Sequence, residues 1–352
     1  MDKEVSWKIS WMTFIGNILI LMGHSALNGI RPGWDTQFGL VLMNFFNRLA
    51  WVMMGWFFFI SSYLFYRNLE NMRVIFWGWK KRIVSLIIPY VIWNTVGLIL
   101  QIVSGDYTLE NSSIWFLIRN TYLFYDGYGC ANGPLWYIAR FLTFLLFAPI
   151  IYKIFYKRKK IIGVGIIIIC IICNIYFDVQ YYDFSFFLPI HLAGAHIGMN
   201  FAVKFEKYIK TNEEQKNRNM VQGIWLLILF VMFLYSKDQI IRHLNSLISQ
   251  NSCDMLLRYM SLWILIELLK RVFFIKQPTQ FVRSAGMYIY CSHDIIFRAM
   301  RFILIEHMNL GFVVTWVLLV TTSLTICVGS WLVMKAHTPR LLNILSGGRS
   351  KG

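Results

Sequence analysis

The chain has 352 residues, of which 57% are hydrophobic and only 14% are charged. A soluble domain typically carries about 25% charged residues, so this composition excludes an ordinary soluble enzyme and indicates a membrane protein. The formal net charge of +17 does not indicate nucleic-acid binding. The basic residues cluster in short segments between apolar runs, where they orient helices in the bilayer.

The apolar runs predict an all-α membrane protein, a bundle of about ten transmembrane helices. The expected spans are residues 10–30, 40–66, 84–104, 135–156, 161–177, 184–203, 220–236, 253–274, 285–305 and 312–334. Loops rich in Lys and Arg alternate with loops poor in them, which predicts that both termini are cytoplasmic. We expect one transmembrane domain over residues 1–340 and a short cytoplasmic tail over residues 341–352.

The first span contains a histidine, His24. An ionisable side chain within hydrocarbon is costly and by default marks a functional site. A neutral imidazole can remove a proton from a hydroxyl and return it to a leaving group; the alternative is a histidine that only bonds a backbone carbonyl. Asn17 lies two helical turns earlier on roughly the same face, so we expect it to line the same polar stripe and contact substrate.

Basic side chains outnumber acidic ones within the spans. The arginines are Arg48, Arg140, Arg298 and Arg301, and the carboxylates are Glu267 and Asp294. A guanidinium presents a planar fork to phosphate or carboxylate, so Arg48 and Arg140 are predicted to bind an anionic substrate. Arg301 is expected to extend to the membrane interface. Scarce carboxylates argue against a proton-driven transporter.

The segment PLWYIAR begins with Pro134, which suits the first turn of a helix. Trp136 and Arg140 then share one helix face, and Tyr137 lies beside them. These three side chains are predicted to hold an acyl or sugar group. The alternative is a belt of aromatic residues at the interface.

Two further segments carry candidate binding residues. His293 and Asp294 are adjacent on the ninth span, about 100° apart around the helix, so they cannot both face one partner; His293 is the predicted substrate contact. Arg82 ends a basic cluster that either enforces topology or guides an anionic donor from the cytosol. The long loop at 104–136 is either a binding loop or a plain connector.

Taken in order, these motifs resemble the acyltransferase-3 family of integral membrane O-acyltransferases. The matching segments are ILILMGHS (18–25), FFFISSYLF (57–65), RIVSLIIPYVIW (82–93), PLWYI (134–138) and YCSH (290–293). Two positions depart from the family's pattern. Thr13 occupies a position that is commonly basic, with Lys8 the nearest base, and Ser62 replaces the usual glycine.

The resemblance implies transfer of an acyl group, often acetyl, from acyl-CoA to a hydroxyl on an extracytoplasmic glycan or lipid-linked sugar. It implies that His24 is essential, and we assign it as the general base. Neither a permanently bound cofactor nor a metal is expected, and the location would be the bacterial cytoplasmic (inner) membrane. A homo-oligomer is compatible with the sequence. The rival function is a transporter or flippase for an anionic or lipid-linked substrate, although the sequence shows no inverted repeat.

Overall fold

The computed structural model describes residues 1–348 except 26, 28–35, 106–112, 124–129, 157–159, 181–182, 211–215, 245–248, 272–275 and 309. Regular structure in these ranges is helical throughout. The α-helices are α1 (Lys3–His24), α2 (Gln37–Tyr66), α3 (Met72–Arg82), α4 (Ile88–Val103), α5 (Ile114–Tyr122), α6 (Trp136–Leu146), α7 (Ala148–Phe155), α8 (Lys160–Tyr176), α9 (Leu188–Asn200), α10 (Ala202–Ile209), α11 (Lys216–Leu244), α12 (Gln250–Arg271), α13 (Gln280–Arg301), α14 (Phe312–His337) and α15 (Pro339–Leu345). Two π-helices, Ile83–Ile87 and Phe302–Glu306, and a 3-10 turn, Gly133–Leu135, join them.

The predicted all-helical membrane class is confirmed. Among the described residues, five helical segments are long and apolar enough to cross a membrane, and a sixth is added if one bent pair counts as a span. The five are Lys3–His24, Gln37–Tyr66, Met72–Val103, Asn219–Lys237 and Phe312–His337. The count of ten spans and the cytoplasmic position of both termini stay predictions.

The predicted span at 135–156 is two helices rather than one. Helices α6 and α7 meet at Phe147 with a bend of 57°. Pro149 explains the break, because it has no N–H to donate to the carbonyl of Leu145 and its ring crowds that carbonyl. The freed oxygen of Leu145 instead accepts a hydrogen bond from the indole nitrogen of Trp79 at 3.0 Å.

The described chain groups into two compact units, each made of three separated stretches. The first comprises 1–13, 51–79 and 143–278, and the second comprises 14–50, 80–142 and 279–352. In the first unit, α2 and α9 touch closely, since a Cβ on Gly194 would lie 2.3 Å from the carbonyl oxygen of Phe59. The unusual Ser62 belongs to this contact, because its hydroxyl donates to the carbonyl of His191 at 2.7 Å.

In the second unit, α13 packs against α14 and α4, and α15 packs against α4. The segment predicted as a tail therefore begins inside a packed helix. Leu342 is fully buried, and the indole of Trp93 donates to the carbonyl of Leu345 at 3.1 Å. Beyond α15, Gly347 adopts φ +68° against the carbonyl of Ser85, where a Cβ would collide with backbone.

Candidate active site

Two histidines from opposite ends of the chain meet in the second unit. The Nδ1 atom of His24, the last residue of α1, lies 3.2 Å from the Nε2 atom of His293 on α13. Their ring centroids are 5.3 Å apart with 27° between the planes. His293 is fully buried, whereas His24 is partly exposed. Of this histidine pair, His24 is therefore the more exposed member.

The hydrogen bonds of His293 define the protonation pattern of the histidine pair. Its Nδ1 atom lies 3.1 Å from the carbonyl oxygen of Ile289. A carbonyl oxygen can only accept, so Nδ1 of His293 carries the proton and, in the neutral ring, Nε2 carries a lone pair. That lone pair must accept from Nδ1–H of His24. When both rings are neutral, this assignment leaves the lone pair of His24 on Nε2, the atom from which the ring can act as a base.

The end of α1 is held from two sides. A Cβ on Gly23 would lie 2.4 Å from the Cβ of Ala50 and 3.3 Å from the carbonyl oxygen of Phe46, so this glycine allows α1 to approach α2. The Arg301 guanidinium donates to the backbone carbonyl of His24 at 2.8 Å. The Arg301 cation thus satisfies a carbonyl at the end of α1, and its expected position at the membrane interface stays a prediction.

The residue after His24 adds a further anchor. The Ser25 hydroxyl donates to the carbonyl of Met22 at 2.5 Å and accepts from the indole nitrogen of Trp316 at 2.7 Å. Both Ser25 and Trp316 are buried. These bonds hold the backbone next to His24 in place.

The turn that precedes α6 is tied to α4 and α13. The Asn132 side chain donates to the carbonyl of Cys291 at 2.8 Å, and the Asn132 backbone N–H donates to the side-chain oxygen of Asn94 at 3.1 Å. Arg298 donates to the carbonyl of Ala131 at 2.9 Å and pairs with Asp294 at 3.0 Å. As expected, His293 and Asp294 have different partners.

The aromatic residues of α6 reach the same part of α13. The Tyr137 ring lies edge-on to Tyr290 with centroids 6.2 Å apart, and the Tyr290 ring centroid lies 6.1 Å from that of His293. The Tyr290 hydroxyl donates to the carbonyl of Pro134. Tyr137 is thus connected to the histidine pair through one ring, whereas Trp136 is partly buried at the start of α6.

The other predicted binding residues lie on α1, α2, α3 and α6. Arg48 on α2, Arg82 at the end of α3 and Arg140 on α6 are each partly buried. Asn17 is buried, and its amide nitrogen would lie 2.7 Å from a Cβ on Gly286, so it packs against the backbone of α13. Their roles as substrate contacts stay predictions.

Lys8, the base nearest to Thr13 in sequence, is engaged elsewhere. It is fully buried in the first unit, and its ammonium donates to the carbonyls of Ile209 at 2.8 Å and Lys270 at 3.3 Å. It also pairs with Glu4 at 3.1 Å. Lys8 therefore caps the C-terminal ends of α10 and α12.

Sequence reasoning missed three residues of this site. Asn132 and Tyr290 are not among the site residues that the sequence predicts, and Arg301 is expected at the interface. The signal for Asn132 was the sequence NGP, since an Asn before Gly-Pro favours a turn that a helix can follow. The local sequence does not indicate which distant backbone carbonyls accept hydrogen bonds from these three side chains.

The fold and site together define an all-helical membrane protein with a histidine pair at the end of its first span. The family model described as an acyltransferase domain, acyltransferase-3, matches residues 7–334. The chain belongs to this family, which confirms the resemblance seen in the motifs. Comparison with curated proteins and with solved structures found no significant match.

Proposed function

We propose that this membrane acyltransferase transfers an acyl group, most simply acetyl, from acyl-CoA to a hydroxyl of an extracytoplasmic glycan or lipid-linked sugar. The observation that carries the proposal is the histidine pair, in which the partly exposed ring of His24 has its lone pair on Nε2. A base of this kind is what an alcohol needs before it can attack a thioester.

In the proposed reaction, Nε2 of His24 takes the proton of the acceptor hydroxyl while the hydroxyl oxygen attacks the thioester carbonyl. The tetrahedral intermediate then collapses, the carbon–sulfur bond breaks, and an ester forms. The protonated His24 returns the proton to the departing sulfur of coenzyme A. General acid–base assistance of this kind contributes about 10²–10⁴-fold to a rate.

His293 acts as a positioning residue for this base. By accepting from Nδ1–H of His24, it fixes the ring orientation and the tautomer, in the way that a triad carboxylate orients its histidine. The bond to the Ile289 carbonyl in turn fixes the tautomer of His293. We therefore assign His293 to orientation of His24 rather than to direct substrate binding.

The partly buried arginines supply candidate contacts for the anionic donor. Arg82 follows two lysines at the end of α3, and Arg48 and Arg140 lie on α2 and α6. Guanidinium groups bind phosphate in a bidentate manner, so we assign these side chains to the phosphates of acyl-CoA. Trp136 and Tyr137 are assigned to the acyl or sugar group.

Thiol release measured in proteoliposomes tests this function. The purified chain is reconstituted with acetyl-CoA and a lipid-linked sugar, and free thiol and acylated sugar are quantified together. We expect the two products in equal amounts, and no thiol release when the acceptor is omitted. Movement of the lipid-linked sugar across the bilayer without acetyl-CoA, and without thiol release, would instead support the transporter or flippase.

A further inference from the structure

The first unit contains an apolar groove that the proposed reaction does not use. Its volume is about 530 Å³, within the range of roughly 300–1,000 Å³ typical of small-molecule sites. It is lined by residues of α2, α8, α9, α10 and α12, and we name it the α8–α12 groove. The lining includes Phe59, Ile167, Ile171, Ala193, Leu262 and Ile266.

The two ends of the α8–α12 groove differ in charge. At one end the Tyr259 hydroxyl donates to the carbonyl of Phe186 at 3.1 Å, so this polar group is satisfied by the protein. At the other end, Tyr208 of α10 donates to Glu267 of α12. Tyr259 and Glu267 are eight residues apart on one helix, which separates the ends by about 12 Å.

The Tyr208 end is basic. Lys204, one turn before Tyr208 on α10, lines the groove and is exposed. The ammonium of Lys270 lies 4.0 Å from the Tyr208 ring centroid. The carboxylate at this end, Glu267, is paired with Arg271 on its own helix, so Lys204 and Lys270 leave an excess of positive charge.

We propose that the α8–α12 groove binds one acyl chain of an anionic phospholipid, with the phosphate at Lys204 and Lys270. A phospholipid has the same asymmetry as the groove, an apolar chain with charge at one end. The chain would cover the apolar lining, and lysines near a membrane surface attract anionic headgroups. A helix from a second copy of the protein would not require cations at a single end.

Native mass spectrometry of the purified full chain tests this proposal, with dioleoylphosphatidylglycerol and dioleoylphosphatidylcholine as probes of equal chain length. We expect the first molecule of phosphatidylglycerol to bind about fivefold more tightly, as one or two nearby lysines would provide. Lys204→Gln should remove most of this preference. Lys207→Gln is the matched control, because Lys207 is also exposed on α10 but does not line the groove.

Filling the groove tests the chain separately from the headgroup. Ala193→Phe should weaken binding of both lipids, with Ala193→Leu as a milder substitute if the larger side chain prevents folding. Equal affinity for the two lipids, or equal effects of Lys204→Gln and Lys207→Gln, would overturn the proposal. So would glycerol phosphate binding as tightly as the lipid, or a dimer that Ala193→Leu dissociates while lipid binding is unchanged.

Discussion

His24 and His293 are joined by a hydrogen bond of 3.2 Å between Nδ1 of the first and Nε2 of the second, although 269 residues separate them in sequence. One ring is partly exposed and the other is fully buried. This division suits a base that meets substrate and a partner that orients it. The bond to the Ile289 carbonyl sets the direction of the hydrogen bond between the two rings. Because it places the proton of His293 on Nδ1, Nε2 of His293 is the acceptor.

Replacing His293 tests the role of the buried ring. His293→Leu removes the acceptor for Nδ1–H of His24, so we expect kcat to fall about 10²-fold with little change in KM. His293→Gln keeps an acceptor of similar reach and should recover part of the loss. Steady-state thiol release across acyl-CoA concentrations measures both parameters.

A different result would reassign His293. If His293→Leu raised KM for acyl-CoA or for the acceptor while kcat stayed unchanged, the residue would be a substrate contact. If Gln and Leu behaved alike in folded protein, acceptance of a hydrogen bond would not be its role.

The close approach of α1 and α2 predicts a sensitive glycine beside the base. Gly23→Ala forces a Cβ to within 2.4 Å of Ala50, so α1 must shift, at a cost of about 1–3 kcal/mol. We expect a lower thermal unfolding midpoint and reduced acyl transfer. Gly329→Ala on α14 is the matched control, since its Cβ would meet nothing within 4 Å; an equal effect of the two substitutions would contradict the account.

Arg301 should matter through the backbone of His24. Arg301→Gln weakens the charge-assisted bond to the His24 carbonyl, and a ring displaced by even a fraction of an ångström loses alignment. We expect about a tenfold fall in kcat, partly restored by Arg301→Lys. Arg283→Gln, an exposed position on the same helix, should leave the rate unchanged. Full activity of Arg301→Gln would show that this bond does not position the base.

Asn132 is predicted to support stability more than chemistry. Asn132→Leu removes the side-chain hydrogen bond to the Cys291 carbonyl from a fully buried position, and the loss of such a bond costs about 0.5–1.5 kcal/mol. The unfolding midpoint in detergent should fall accordingly. Asn44→Leu, exposed on α2, is the control. An unchanged midpoint for Asn132→Leu would mean that the turn before α6 is held by its other bonds.

The all-helical membrane class followed from the hydrophobic pattern because the lipid environment demands long apolar helices, whereas the count of ten spans stays a prediction. The same pattern indicated His24 as a candidate site residue, since an ionisable residue within such a run carries a cost that packing alone does not explain; its role as a base stays a prediction. Pro149 marked the break between α6 and α7, but a proline near a predicted helix end is compatible with a kink or with a new start.

The partners of these residues were beyond the sequence. The adjacency of His293 and Asp294 showed that they face different ways, yet nothing identified His24 and Arg298 as their separate partners. Arg301 illustrates the same limit, because its position near a helix end fits both the interface and the carbonyl of His24. Tertiary packing decides between alternatives that periodicity leaves equal.

The measurement that tests the central claim most directly is acyl transfer by His24→Ala and His24→Gln in purified protein that retains the thermal unfolding profile of the native chain. The account predicts that acceptor-dependent thiol release from acetyl-CoA falls by about 10²-fold or more in both variants. Undiminished transfer by folded His24→Ala would contradict it, because no base would then be required at Nε2 of His24.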